Sequence, residues 1–163
     1  MNKGILAVVL ITVSLLGLMW WGSNIQKTAG AITGKTSVLF ADEKSYDFGT
    51  ISMANGDVTK DFVIKNVTNK DINIPSLVTS CMCTTAFIVK PDKTVKGPFG
   101  MPGMGYVPPA NEVIKPGEGR VIRIVYDPNA HGPAGVGRID RFATITDEYG
   151  GEFQLEIKAT VTP

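Results

Sequence analysis

The sequence is short of the residues most site chemistries need. It holds one histidine and two cysteines, and its 16 Lys and Arg nearly cancel its 15 Asp and Glu, leaving a formal net charge of +1. Basic residues so spread and so balanced exclude a binder that holds nucleic acid by charge. The only histidine, His131, has Asp127 and Asp140 nearby but no positioned nucleophile, so no catalytic triad can be drawn. The acidic residues lack the spacing of a calcium-binding loop. A phosphate loop, a dinucleotide fingerprint and internal repeats are all missing. With both cysteines one residue apart, the usual disulfide that ties two sheets together is unavailable. Packing alone must join them.

What is present is a chain of 163 residues, enough for one domain plus an appendage. Its 18 Gly and 10 Pro fall between short apolar runs, as turns between strands would place them.

The appendage comes first. After Met1-Asn2-Lys3, residues Ile5 to Trp21 run without a charge, and Thr12 and Ser14 can bond their hydroxyls back to a helix. Such a helix would be about 25 Å long, the low end of a bilayer core, with Trp20 and Trp21 at the interface. The reading is a membrane anchor or signal segment over 1–22 and a Gly/Ser/Thr-rich flexible stalk over 23–36. Ala29-Gly30-Ala31 offers a small-x-small cleavage site, so secretion after cleavage is the alternative to an uncleaved anchor. The apolar run is longer than a cleaved signal needs, which favours the anchor. No cysteine follows it that could carry a lipid. The expected location is the bacterial cell membrane, crossed once through residues 5–21, with the carboxy-terminal domain extracytoplasmic.

Residues 37–163 read as strands. Val38-Leu39-Phe40 is a short one. Tyr46, Phe48 and Ile51 point inward in the next, with Gly49 at a bend or bulge. Asn55-Gly56 marks a tight turn, and Val58, Phe62 and Ile64 then alternate with polar residues. Ile72, Ile74 and Leu77 follow, with Pro75 indicating an edge or a crossing between sheets. Residues 90–112 hold so much Gly, Pro and Met that a long loop is expected. Val121 to Tyr126 is a further strand. The end of the chain is a hairpin that turns at Tyr149-Gly150-Gly151, with Phe153, Leu155, Ile157, Ala159 and Val161 on one face. Seven to eight strands without a helical pattern give an all-β fold, a two-sheet β-sandwich.

The chemistry gathers at Thr79-Ser80-Cys81-Met82-Cys83-Thr84-Thr85. On a strand, residues two apart share a face, so Cys81 and Cys83 would present both sulfurs together. Three readings stand open. The first is a soft-metal site for Cu(I), with the thioethers of Met101 and Met104 and the imidazole of His131 completing the ligand set. Zinc fits less well, since its structural shell would be incomplete. The second is a redox pair: an extracytoplasmic domain permits a disulfide. Strand spacing would hold the Cα atoms about 6.5–7 Å apart, so the bridge would need a local bend and be easily reduced. In the third, the thiols are small core residues and Met101 and Met104 plug a gap. A thiol hydrolase using Cys81 and His131 lacks a supporting motif.

Taken in order, Tyr46-Asp47-Phe48-Gly49-Thr50-Ile51, Phe62 with Asn66, Ser80-Cys81-Met82-Cys83-Thr84, Pro116-Gly117-Glu118, Tyr126-Asp127 and the final strand resemble the bacterial domain-of-unknown-function family 1573. That family is related to immunoglobulin-like domains of the major-sperm-protein and Hydin type. The resemblance covers roughly 38–161. It implies an immunoglobulin-like sandwich, usually behind a signal or membrane anchor, and no enzymatic activity. Residues 97–105 look like an insertion relative to the shortest members. The leading expectation is therefore a membrane-anchored, non-enzymatic interaction module that meets another envelope protein through sheet edges and the long loop. The alternative is a Cu(I)-binding or thiol-redox protein.

Overall fold

Eleven strands and two short 3-10 turns make up the fold of residues 35–163, the part of the chain that the computed structural model describes. The expected membrane segment, and all but the last two residues of the expected stalk, lie outside the described residues. Among the described residues no helix is long and apolar enough to cross a membrane.

The all-β expectation holds. Five strands form one sheet in the order β1 (Leu39–Ala41), β3 (Val58–Asn66), β9 (Gly119–Tyr126), β6 (Thr84–Val89), β7 (Val95–Phe99). Four form the second: β2 (Ser45–Ser52), β11 (Glu152–Thr162), β10 (Gly137–Thr146), β5 (Ser76–Thr79). A small ladder pairs β4 (Ile72–Ile74) with β8 (Glu112–Ile114). Strict alternation drives the packing. Phe62 and Ile64 of β3, Ile122, Ile124 and Tyr126 of β9, and Leu155, Ile157 and Val161 of β11 are buried in one shared core. Their polar neighbours stay at the surface, as a half-buried strand requires.

The terminal hairpin forms as the pattern predicts, in register from Gly137↔Val161 to Thr146↔Glu152. Its turn is organised by Asp147, 1% exposed, whose carboxylate accepts from the Ser37 hydroxyl at 2.6 Å and from the backbone N–H groups of Gly151 and Tyr149 at 2.8 and 2.9 Å. Gly49 sits at φ +70 in β2, where the parallel register with β11 slips between Lys158 and Thr160. That is the expected bulge. Pro75 stands between β4 and β5, which belong to different sheets, the crossing expected there.

The expected long loop at 90–112 is corrected. It contains β7 and begins β8, so eleven strands replace seven or eight. A Pro and a Gly bar a central strand, but β7 is the edge of its sheet, where a missing N–H costs nothing in the ladder. It is pinned by Phe99, which is fully buried and paired with Ala86. The irregular part shrinks to the turn at 90–94 and the segment 100–111.

Candidate redox and soft-ligand site

The cysteines lie on a turn, not on a strand. β5 ends at Thr79 in the four-stranded sheet and β6 begins at Thr84 in the five-stranded sheet, so residues 80–83 carry the chain across the sandwich. The Thr84 N–H bonds back to the Cys81 carbonyl at 3.1 Å, closing the turn. Its frame is tied on several sides. The Thr79 hydroxyl lies 3.2 and 2.9 Å from the carbonyls of Cys81 and Thr84. Ser80 exchanges bonds with the backbone of Phe142, and the Asp127 N–H donates to the Cys83 carbonyl at 2.9 Å.

This turn brings the two Cα atoms to 5.3 Å, and Cys81 and Cys83 form a disulfide. The turn supplies the local bend that strand spacing required, and the Cα spacing lies inside the ordinary range for a bridge. The sulfurs differ in access: Cys83 is 3% exposed, whereas Cys81 is half-buried.

Two side chains far along the sequence meet these sulfurs. His131 Nε2 lies 3.2 Å from Cys81 Sγ, at the exposed side. It rides on the loop between β9 and β10. There Asp127 accepts from the Asn129 N–H at 2.7 Å and Gly132 N–H bonds to the Asn129 carbonyl, a local turn chemistry typical of Asp and Asn. Arg141 of β10 donates from Nε to Cys83 Sγ at 3.3 Å. Beside it, burial pushes the Tyr126 phenol above its ordinary range, against the opposing pull of the Arg141 charge. Cys81 Sγ, Cys83 Sγ and a His131 ring nitrogen all lie within 4.8 Å of one another.

Met101 and Met104 occupy a different place. They line a pocket of about 210 Å³ with Met82, Thr84, Thr85, Gly100, Gly105, Tyr106 and Val107, and neither the cysteines nor His131 line it. The fold thus unites Cys81, Cys83 and His131 and sets the two thioethers apart from them. Sequence reasoning missed Arg141 and Met82. Nothing local marks Arg141, since only the pairing of β10 with β5 carries it to the cysteine turn. Met82 was in view as the residue between the cysteines, but its side chain belongs to the methionine pocket.

The arrangement offers an accessible sulfur beside an imidazole and a buried sulfur beside a guanidinium. A disulfide polarised this way can be attacked at one end while charge collects at the other. As long as the bridge is intact, Cys81 has no thiolate to offer a hydrolase.

The model of the family described as "Protein of unknown function (DUF1573)" matches residues 39–97. That stretch contains the first three motifs of the resemblance, including the cysteine turn, while the motifs from Pro116 onward lie beyond it. No curated protein matches the chain. Among solved structures the chain is similar to a protein of unknown function from Porphyromonas gingivalis W83, at TM-score 0.55 and 19% identity, over 82% of this chain and 51% of that one. It spans about half of that protein's length, and the likeness is one of fold. Weaker likenesses include the secreted serine protease VesC from Vibrio cholerae (TM-score 0.47, 16% identity, 77% of this chain and 24% of that one). The VesB protease of Vibrio cholerae is another (0.48, 12%, 76% and 32%). None of these likenesses shows an enzymatic activity for this chain.

Proposed function

We propose that this chain, with its DUF1573 segment, is a thiol–disulfide exchange module in an extracytoplasmic, immunoglobulin-like domain anchored through residues 5–21. The observation that carries the reading is the asymmetric pair: half-buried Cys81 with His131 at 3.2 Å, buried Cys83 with the Arg141 guanidinium at 3.3 Å. An oxidising compartment suits a standing disulfide, and the partner is a dithiol-bearing envelope protein.

The exchange balances as follows. A partner thiolate attacks Cys81 Sγ, the accessible sulfur, and the Cys81–Cys83 bond breaks. The electron pair leaves on Cys83 Sγ, where the Arg141 N–H meets the new charge. The partner's second thiolate then attacks its own sulfur in the mixed disulfide and releases Cys81 as a thiolate next to His131. The partner's two thiols become a disulfide, and Cys81 and Cys83 take up the two electrons and two protons.

The test is a Cys83→Ser variant, which keeps the Cys81 thiol and removes the neighbouring sulfur that could displace a partner bound to it. Incubated with a peptide whose single cysteine is an activated mixed disulfide, it should accumulate a stable Cys81-linked adduct, because no second thiol is present to release it. The native disulfide should be reduced by a peptide bearing two free thiols, with second-order kinetics. An inert native bridge, or adducts formed no faster than by a free cysteine, would exclude exchange.

A second reading is supported by the three donors within 4.8 Å of one another. Once reduced, Cys81, Cys83 and His131 would present two thiolates and an imidazole, a soft set that selects Cu(I). Anaerobic titration of the reduced protein against a competing chelator tests it. Tight one-to-one binding lost in Cys81→Ser/Cys83→Ser is the expected result.

A further inference from the structure

The methionine pocket has no part in the exchange reaction, yet it is built with care. Met101-Pro102-Gly103-Met104 is a β-turn, closed by the Met104 N–H on the Met101 carbonyl at 3.3 Å. Pro stands at its second position and Gly, at φ +86, at its third, the requirements of a type II turn. Such a turn holds its first and last Cα atoms within about 7 Å of each other before any ligand arrives. Both of those residues are methionine. The Gly100 carbonyl, one residue upstream, accepts from the Thr79 N–H at 3.1 Å and fixes the turn against the cysteine segment. Met82 then reaches the same pocket from between the two cysteines.

Three of the four methionines among the described residues therefore line one pocket, and the fourth, Met53, lies elsewhere. A packing role calls for burial, but Met82 is 51% and Met104 58% exposed. No carboxylate or imidazole lines the pocket, which leaves thioether sulfur as its only strong soft donor. Neutral thioethers discriminate against hard divalent ions and favour Cu(I) and its congener Ag(I).

The geometry points to a second soft-cation site, in which the thioethers of Met82, Met101 and Met104 hold a monovalent Cu(I) whatever the oxidation state of Cys81 and Cys83. Neutral ligands leave the ion's charge uncompensated, so binding is weak and readily exchanged. The inference does not rest on thiol exchange at Cys81 and Cys83.

The test uses the full chain with its disulfide intact, so that thiolates cannot compete, and Ag(I) as the probe. Methionine methyl resonances of Met82, Met101 and Met104 should shift together and saturate at one equivalent, while Met53 stays in place as an internal control. Met101→Leu/Met104→Leu, a swap that keeps volume and hydrophobicity, should abolish the shifts while leaving reduction of the disulfide unchanged. Cys81→Ser/Cys83→Ser should keep them. Equal shifts at Met53, silver uptake only after reduction, or uptake that survives the double leucine variant would overturn the proposal.

Discussion

Arg141→Met should make the Cys81–Cys83 disulfide harder to reduce. The substitution keeps the aliphatic stem of the side chain and removes the guanidinium, whose Nε donates to Cys83 Sγ at 3.3 Å. In the oxidised state that sulfur is a weak acceptor. After reduction it can carry a full negative charge, so Arg141 stabilises the reduced state more. A hydrogen bond to a charged group contributes about 1.5–3 kcal/mol. Arg141 is half-buried and solvent screens it, which extends the lower bound to about 1 kcal/mol. For a two-electron couple about 1.4 kcal/mol corresponds to 30 mV. The potential should therefore move about 20–60 mV toward more negative values. The assay equilibrates native and variant proteins with graded mixtures of a reduced and an oxidised dithiol, then counts free thiols by alkylation and mass. Arg123→Met is the control, because that guanidinium is engaged by Asp61 at 2.8 and 2.9 Å. An Arg141→Met potential equal to the native one, or shifted the other way, would refute the leaving-group role.

Other outcomes follow from the same geometry. Stability should fall on acidification. Burial alone would raise Glu112 and Asp147, but hydrogen bonds from Arg120 to the one and from Ser37, Gly151, Tyr149 and Val38 to the other bring both carboxyls below their ordinary range. Because these groups are depressed in the fold, their stabilisation is complete above the ordinary carboxylate range, about pH 4, and lost as pH drops through the folded values. Melting temperature measured across that range should fall steeply, and Asp147→Asn should cost about 2–3 kcal/mol at neutral pH and flatten the acid limb. Phe99→Ala should destabilise by about 3–5 kcal/mol in urea unfolding, since the ring anchors the edge strand β7 in the core. Gly151→Ala should lower the melting temperature, because an added Cβ would lie 2.6 Å from Ser37 Cα and 2.7 Å from Asp147 Oδ2.

The parts of the fold that could be read in the sequence are those whose signal is local. The hairpin of β10 and β11 declares itself through Phe153, Leu155, Ile157, Ala159 and Val161, because period-two burial leaves one register open to it. Pro75 announced a crossing and delivered one. β7 was concealed by Gly97 and Pro98, which forbid an interior strand but not an edge whose ladder has one side only. The cysteine segment carries no apolar alternation, so face-sharing on a strand was the wrong geometry even though it led to convergent sulfurs. His131 and Arg141 lie 50 and 58 residues from their sulfurs. Nothing in the composition of either neighbourhood encodes that meeting; it comes from how the two sheets close on each other.

The cysteine turn has a consequence for the unfolded chain. A disulfide restrains an unfolded polypeptide according to the length of loop it closes, and this one closes a loop of three residues. In the chain-entropy account so short a loop is worth about 1.6 kcal/mol, against nearly 5 for one of a hundred residues. Breaking the bond therefore returns little freedom to the denatured ensemble. The two sheets, joined by packing and not by a covalent staple, have little reason to separate when it opens. On the exchange reading proposed above, oxidation state and folded state are then nearly independent variables, and cycles of reduction and reoxidation are expected to leave the domain folded.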